Sequence, residues 1–171
     1  CRTTGGPVFV KVGTNPFTVA ALNREIEVYA AMALPCMPRV IAGESDPEAP
    51  ILILEDLSGC RWPPPWPQGG LDRAVAAIET LHATPPPPGL FEHEDIEETY
   101  FGWKKIAADP TLFLATGAVT PAWLAQALPV LLAAEARCML TGDALLHMDL
   151  RSDNLCLDGD RVILVDWNWA V

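Results

Sequence analysis

Basic residues are scarce in this chain: lysine and arginine total 11 against 22 aspartates and glutamates, a net charge of −11. A nucleic-acid partner calls for basic patches, so that class is excluded. Long apolar runs are missing too. None approaches the roughly 18 residues of a membrane span, and nothing at the start resembles a signal peptide. Cys1, Cys36, Cys60, Cys138 and Cys156 are odd in number, widely spaced and free of any C-x-x-C pair. That usage points to small buried thiols in a reducing cytoplasm, not to disulfides or zinc. His82, His93 and His147 have no metal-ligand spacing either. His82 ends an apolar helical pattern and reads as structural.

What is present suits one globular core. Half of the 171 residues are apolar, enough for a single domain or slightly more. The excess of acid would suit a polycationic substrate, and it is equally a common solubility device.

Turn and period signals order the chain. Gly5-Gly6 is a turn, and Pro7–Val12 is a short strand rich in β-branched residues. Asn15-Pro16 starts a helix, with Leu22, Ile26, Tyr29 and Ala33 on one face and Pro35 ending it. Arg39–Ala42 and Ile51–Leu54 read as strands around a polar turn, the second running into Glu55-Asp56-Leu57. Two proline runs, Trp62–Pro67 and Thr84–Pro88, bracket a helix marked by Leu71, Ala74, Val75, Ile78, Leu81 and His82. An acidic helix is expected over Glu92–Ala108. Another opens at Thr120-Pro121, is kinked or broken at Pro129, and continues to about Met139.

The chemistry is concentrated near the end. His147-Met-Asp149-Leu-Arg151-Ser-Asp-Asn154 reads H-x-D-L-x-x-x-N, and after the Asp158-Gly159-Asp160 turn the strand Ile163-Leu-Val ends in Asp166. Phosphoryl transfer from ATP uses that set. One carboxylate (Asp149) orients and deprotonates an attacking hydroxyl, an amide (Asn154) holds a metal, and a second carboxylate (Asp166) brings Mg²⁺ to the phosphates. Taken singly, these residues would be ordinary turn formers; the ordered set is harder to reach by chance.

The same wording, Leu146-His-Met-Asp-Leu-Arg-Ser-Asp-Asn-Leu followed by Val165-Asp-Trp, resembles the aminoglycoside phosphotransferase family of protein-kinase-like small-molecule kinases. The resemblance implies an α+β, two-lobed kinase-like fold across nearly the whole chain. Residues 1–54 would be part of the small lobe, 55–59 the hinge, and 60–171 part of the large lobe. It makes His147 a brace for the loop and Asn154, not Asp153, the metal ligand. It places Arg151 where many kinases have a cation facing the transferred group, though a plain surface arginine fits the position as well. It implies that Lys11 contacts the α- and β-phosphates, and that the Glu55 carbonyl and Leu57 amide hold the adenine edge. Lys11 needs a carboxylate partner from the following helix. On a helical wheel Glu25 borders the apolar face, whereas Glu27 lies roughly 140° away; Glu25 is the choice.

Two departures stand out. Asp166-Trp167-Asn168 has Asn where the protein-kinase motif has Gly, and Asn tolerates positive φ best among the other residues. No Gly-rich loop precedes Lys11, and the helices expected after Val171 are missing. The chain therefore reads as a fragment that would be a poor kinase by itself. The expected activity is transfer of the γ-phosphate of ATP, or GTP, with Mg²⁺, to a hydroxyl of an aminoglycoside-like antibiotic or another alcohol. The rival reading is a catalytically silent nucleotide-binding or interaction module.

Overall fold

Alternation of β-branched and aromatic residues draws Gly6–Val12 into a strand, β2, which pairs with the two-residue β1 (Arg2–Thr3) on one edge. The computed structural model describes residues 2–3, 5–90, 101–138 and 142–171. Helix α1 spans Pro16–Ala31 because its start is fully capped. The Asn15 side chain accepts from Thr18 N at 3.0 Å, Thr18 Oγ1 accepts from Asn15 N at 3.1 Å, and Pro16 takes the first helical position. The helix stops earlier than Pro35, at the extended Met32, so Ala33 is exposed and the buried stripe is Leu22, Glu25 and Val28.

β3 (Val40–Glu44) and β4 (Ile51–Glu55) complete an antiparallel sheet of order β1-β2-β4-β3. Lys11 pairs with Leu52 and Phe9 with Leu54. All five residues of β3 are exposed, and the strand reaches two residues past Ala42. It is held by its ladder to β4 rather than by burial, which is why its apolar pattern understated its length.

Helix α2 (Gly70–His82) buries Ala74 and Leu81, while Leu71 and Val75 face solvent. β5 (Leu155–Asp158) and β6 (Arg161–Leu164) form a hairpin whose turn needs Gly159 at φ 57°, a left-handed conformation that glycine adopts without steric cost. Leu155, Leu157, Val162 and Leu164 of this hairpin share one core with Val28, Ala74, Leu81, Leu145 and Trp167. A second cluster joins Leu22 of α1 to Leu52 and Leu54 of β4. Each such leucine contributes about 1.5–3 kcal/mol when fully buried.

The chain divides into two compact units, Cys1–Leu90 with Asp143–Val171, and Phe91–Gly142. The second contains α3 (Trp103–Ala108), α4 (Thr111–Ala115) and α5 (Pro121–Glu135). The acidic half of the helix expected over Glu92–Ala108 lies outside the described residues, as does Met139. Thr120 caps α5 through Trp123 N at 3.1 Å. Pro129 does not break it. One missing N–H is tolerated where alanine and leucine, the best helix formers, fill the turns on both sides. Glu135 is buried and accepts the Trp103 amide at 2.8 Å, which caps α3. Among the cysteines, Cys36 and Cys156 are buried and Cys138 is exposed, against the expectation of buried thiols throughout. No helix among the described residues is long and apolar enough to cross a membrane.

Candidate active site

Strand period and register aim Lys11. Paired residues share a sheet face, and Leu52 and Leu54 pack on Leu22 of α1, so Lys11 and Phe9 stand on the face that meets α1. One turn from the packed Leu22, Glu25 is 2 % exposed, and both its carboxylate oxygens lie within 2.9 Å of the Lys11 ammonium. The Trp167 backbone N–H also favours the Glu25 carboxylate, lowering its pKa a little. Glu27 is exposed and pairs with Arg24 at 3.3 Å, as the wheel argument requires. The Lys11 ammonium is bonded to Asp166 as well. Burial alone would lower the Lys11 pKa, but the two carboxylates outweigh it and hold the ammonium charged. Burial pushes Glu25 the other way, up, against the pull of Lys11. Two oxygens at hydrogen-bond distance from one ammonium fit the ionised pair.

The loop before β5 is braced from inside. His147 is buried against the Trp167 ring, centroids 4.6 Å apart. Its Nε2 donates to Val165 O at 2.9 Å and its Nδ1 accepts from Asp149 N at 3.3 Å, so one neutral tautomer satisfies both nitrogens. Burial keeps its pKa below the usual histidine value, despite the Val165 carbonyl and nearby carboxylates. This ring is committed to structure. It carries the segment through Met148, which has φ 65°, to Asp149. Asp166 also has φ 65°. Left-handed backbone at two non-glycine residues costs of order 1 kcal/mol each and concentrates at functional positions.

Asn154 is buried, and its Nδ2 donates to Asp149 Oδ2 at 2.8 Å and to Asp149 O at 3.0 Å. Both partners are acceptors, which turns the amide oxygen away from Asp149. The Asn154 backbone carbonyl accepts Val165 N at 3.0 Å and so sets Asn154 beside the end of β6, one residue before Asp166. Asp149 and Asn154 thus form one bonded pair and Lys11, Glu25 and Asp166 a second bonded group, with the Val165 backbone between them. A hard amide oxygen and a carboxylate oxygen are the kind of donors Mg²⁺ accepts, and Mg²⁺ commonly takes only one or two from protein. Among the described residues no group of three or more His, Cys, Asp or Glu is placed to hold a metal ion.

Arg151 forks onto Asp153 at 3.0 and 2.8 Å and lies 3.5 Å from Asp149. Asp153 therefore fixes the loop, and Arg151 stands at its exposed mouth. Glu55 takes Arg161 at 2.8 Å and the Arg39 amide at 2.7 Å through its side chain. Burial opposes its ionisation, but these donors hold its pKa below the usual carboxylate value. Its side chain belongs to the scaffold. Leu57 O receives Cys60 N at 3.0 Å and Trp62 Nε1 at 3.3 Å, which shapes the segment after β4.

One residue escaped the sequence reading. Phe9 is half exposed on the face of Lys11, opposite Leu54 and one residue from the Glu55–Leu57 segment. The signal was there: it lies two positions before Lys11, hence on the same side of the strand. Its exposure was not readable.

An antiparallel sheet with one helix, a lysine–glutamate pair and a braced β5–β6 hairpin define an α+β protein of the kinase-like fold. The chain belongs to the phosphotransferase enzyme family, whose model matches residues 1–171. No curated protein and no solved structure matches it significantly.

Proposed function

We propose that this phosphotransferase moves the γ-phosphate of ATP, or GTP, to a hydroxyl of a small molecule. The observation that carries the reading is the bond between Asn154 Nδ2 and Asp149 Oδ2, in a cluster that also holds Asp166, Lys11 and Glu25. Asp149 orients the acceptor hydroxyl and takes its proton as charge leaves the phosphate. Asn154 holds that carboxylate in place. The Lys11 ammonium, fixed by Glu25, meets the α- and β-phosphates, and Arg151 offers charge to the transferred group. Mg²⁺, held by the Asn154 amide oxygen and Asp166, would neutralise negative charge on the phosphates. Phe9 presents a ring to the base, whose edge meets the Glu55 carbonyl and the Leu57 amide.

The acceptor is an aminoglycoside-like or other alcohol, and the net charge of −11 supports a cationic one. The free thiols of Cys36, Cys60, Cys138 and Cys156 among the described residues suit a reducing cytoplasm. The joint presence of Lys11, Asp149, Asn154 and Asp166 favours the enzyme over a silent nucleotide-binding module. The test is ADP release with a panel of amino sugars and polyols, for wild type and Asp149→Ala. Loss of roughly 10²–10⁴ in rate with nucleotide binding kept is expected. A variant that keeps more than about a tenth of the turnover removes Asp149 from its role.

A further inference from the structure

The segment that follows β4 is fastened at both ends to one hairpin. At its start, Glu55 Oε1 accepts Arg161 Nη2 at 2.8 Å and the Arg39 amide at 2.7 Å. The same Arg161 nitrogen donates to Met37 O at 2.7 Å, so both its hydrogens are used. At its end, Arg61 and Leu157 exchange two backbone bonds of 2.9 Å. Asp158 pairs with Arg161 across the β5–β6 ladder, so both anchors lie at the same end of the hairpin. Residues 55–61 therefore form a loop closed on one pair of hydrogen-bonded strands.

That hairpin also carries the phosphate end of the site. β5 begins one residue after Asn154, and β6 leads through Val165 to Asp166. Leu57 O is taken by Cys60 N and Trp62 Nε1, so the turn after β4 is shaped by its own bonds. Those local bonds leave open where the turn sits relative to Asp166 and Lys11. The Arg61–Leu157 bridge and the Arg161 guanidinium decide it. The bridge is backbone; the guanidinium is the part that a substitution can remove.

On the nucleotide reading given above, we propose that Arg161 is a positioning residue for the base. Through the Glu55 carboxylate it sets the Glu55 carbonyl and the Leu57 amide at a fixed place relative to the groups that meet the phosphates. Misplacement by about 1 Å can cost roughly 10²-fold in a reaction that depends on positioning.

Calorimetric titration of the full chain with Mg²⁺-ATP and with Mg²⁺-tripolyphosphate tests this, in wild type, Arg161→Gln, Glu55→Gln and the double variant. Tripolyphosphate has the phosphates and no base. Each single variant should weaken ATP about tenfold and leave tripolyphosphate within about twofold of wild type. Glu55→Gln removes a negative charge, so weaker ATP binding there cannot come from lost attraction, and it decides the question if Arg161→Gln does not fold. The double variant should be no weaker than the worse single one, because both act through one contact. Equal weakening of the two ligands would make Arg161 a source of charge or stability only. Unchanged ATP affinity, or losses that add in the double variant, would remove the coupling through Glu55. Each of these results overturns the positioning role and leaves the nucleotide site standing, whereas a wild type that binds neither ligand overturns both.

Discussion

At the scale of single residues, Lys11 and Glu25 show how stability and chemistry share one contact. The Glu25 side chain is 3 % exposed, so removing its partner strands a buried carboxylate. Lys11→Met should cost about 3 kcal/mol or more in denaturant unfolding, and Lys11→Met/Glu25→Leu should recover much of that. A double variant as unstable as the single would show that lost packing, not the stranded charge, sets the cost. His147 gives a pH dependence. Its folded pKa is lowered by burial, so its stabilisation is complete above the unfolded value of about 6.5 and is lost as pH falls through 6.5 towards the folded value. Wild type should therefore lose more stability than His147→Gln on acidification through that window; equal losses would place the titration elsewhere. Lys11 was marked in the sequence by the family resemblance, and Glu25 was legible because period 3.6 fixes its face. The second bond of Lys11, to Asp166, was not, since 155 residues separate the two and only the packed hairpin brings them together.

Elements were legible where local chemistry decided them. Asn15, Pro16 and Thr18 mark the start of α1 without any tertiary help, and replacing Asn15 by Ala should lower stability by about 1 kcal/mol, read as a shift in the unfolding midpoint. A change below a few tenths would mean that packing alone positions the helix and Glu25 with it. Elements decided by packing were harder to read. β3 is exposed throughout and exists through its ladder to β4, and α5 runs through Pro129 because flanking helix formers outweigh one lost bond. Arg161 is the clearest case of a long-range device hidden from the sequence. It starts β6 and ties Glu55 and Met37 O to the strand that leads to Asp166. Its charge gave no clue to that partner.

At the scale of the molecule, every residue assigned to chemistry falls in the unit formed by Cys1–Leu90 and Asp143–Val171. The hairpin residues that close its core, Leu155 to Leu164, are separated from α1 by more than a hundred positions, yet Leu164 N bonds Cys36 O at 2.7 Å. Folding of this unit thus assembles Lys11 and Glu25 with Asp149, Asn154 and Asp166. The motif spacing made the hairpin readable, and only long-range packing made the cluster. The central claim is that this cluster receives a nucleotide together with a divalent metal. Its most direct test is the affinity of the chain for ATP with and without Mg²⁺, in wild type and Asp166→Ala. Binding tightened at least about tenfold by Mg²⁺ in wild type, with that gain lost in Asp166→Ala, is the predicted result. Affinity indifferent to Mg²⁺, or a gain that survives in Asp166→Ala, would contradict it.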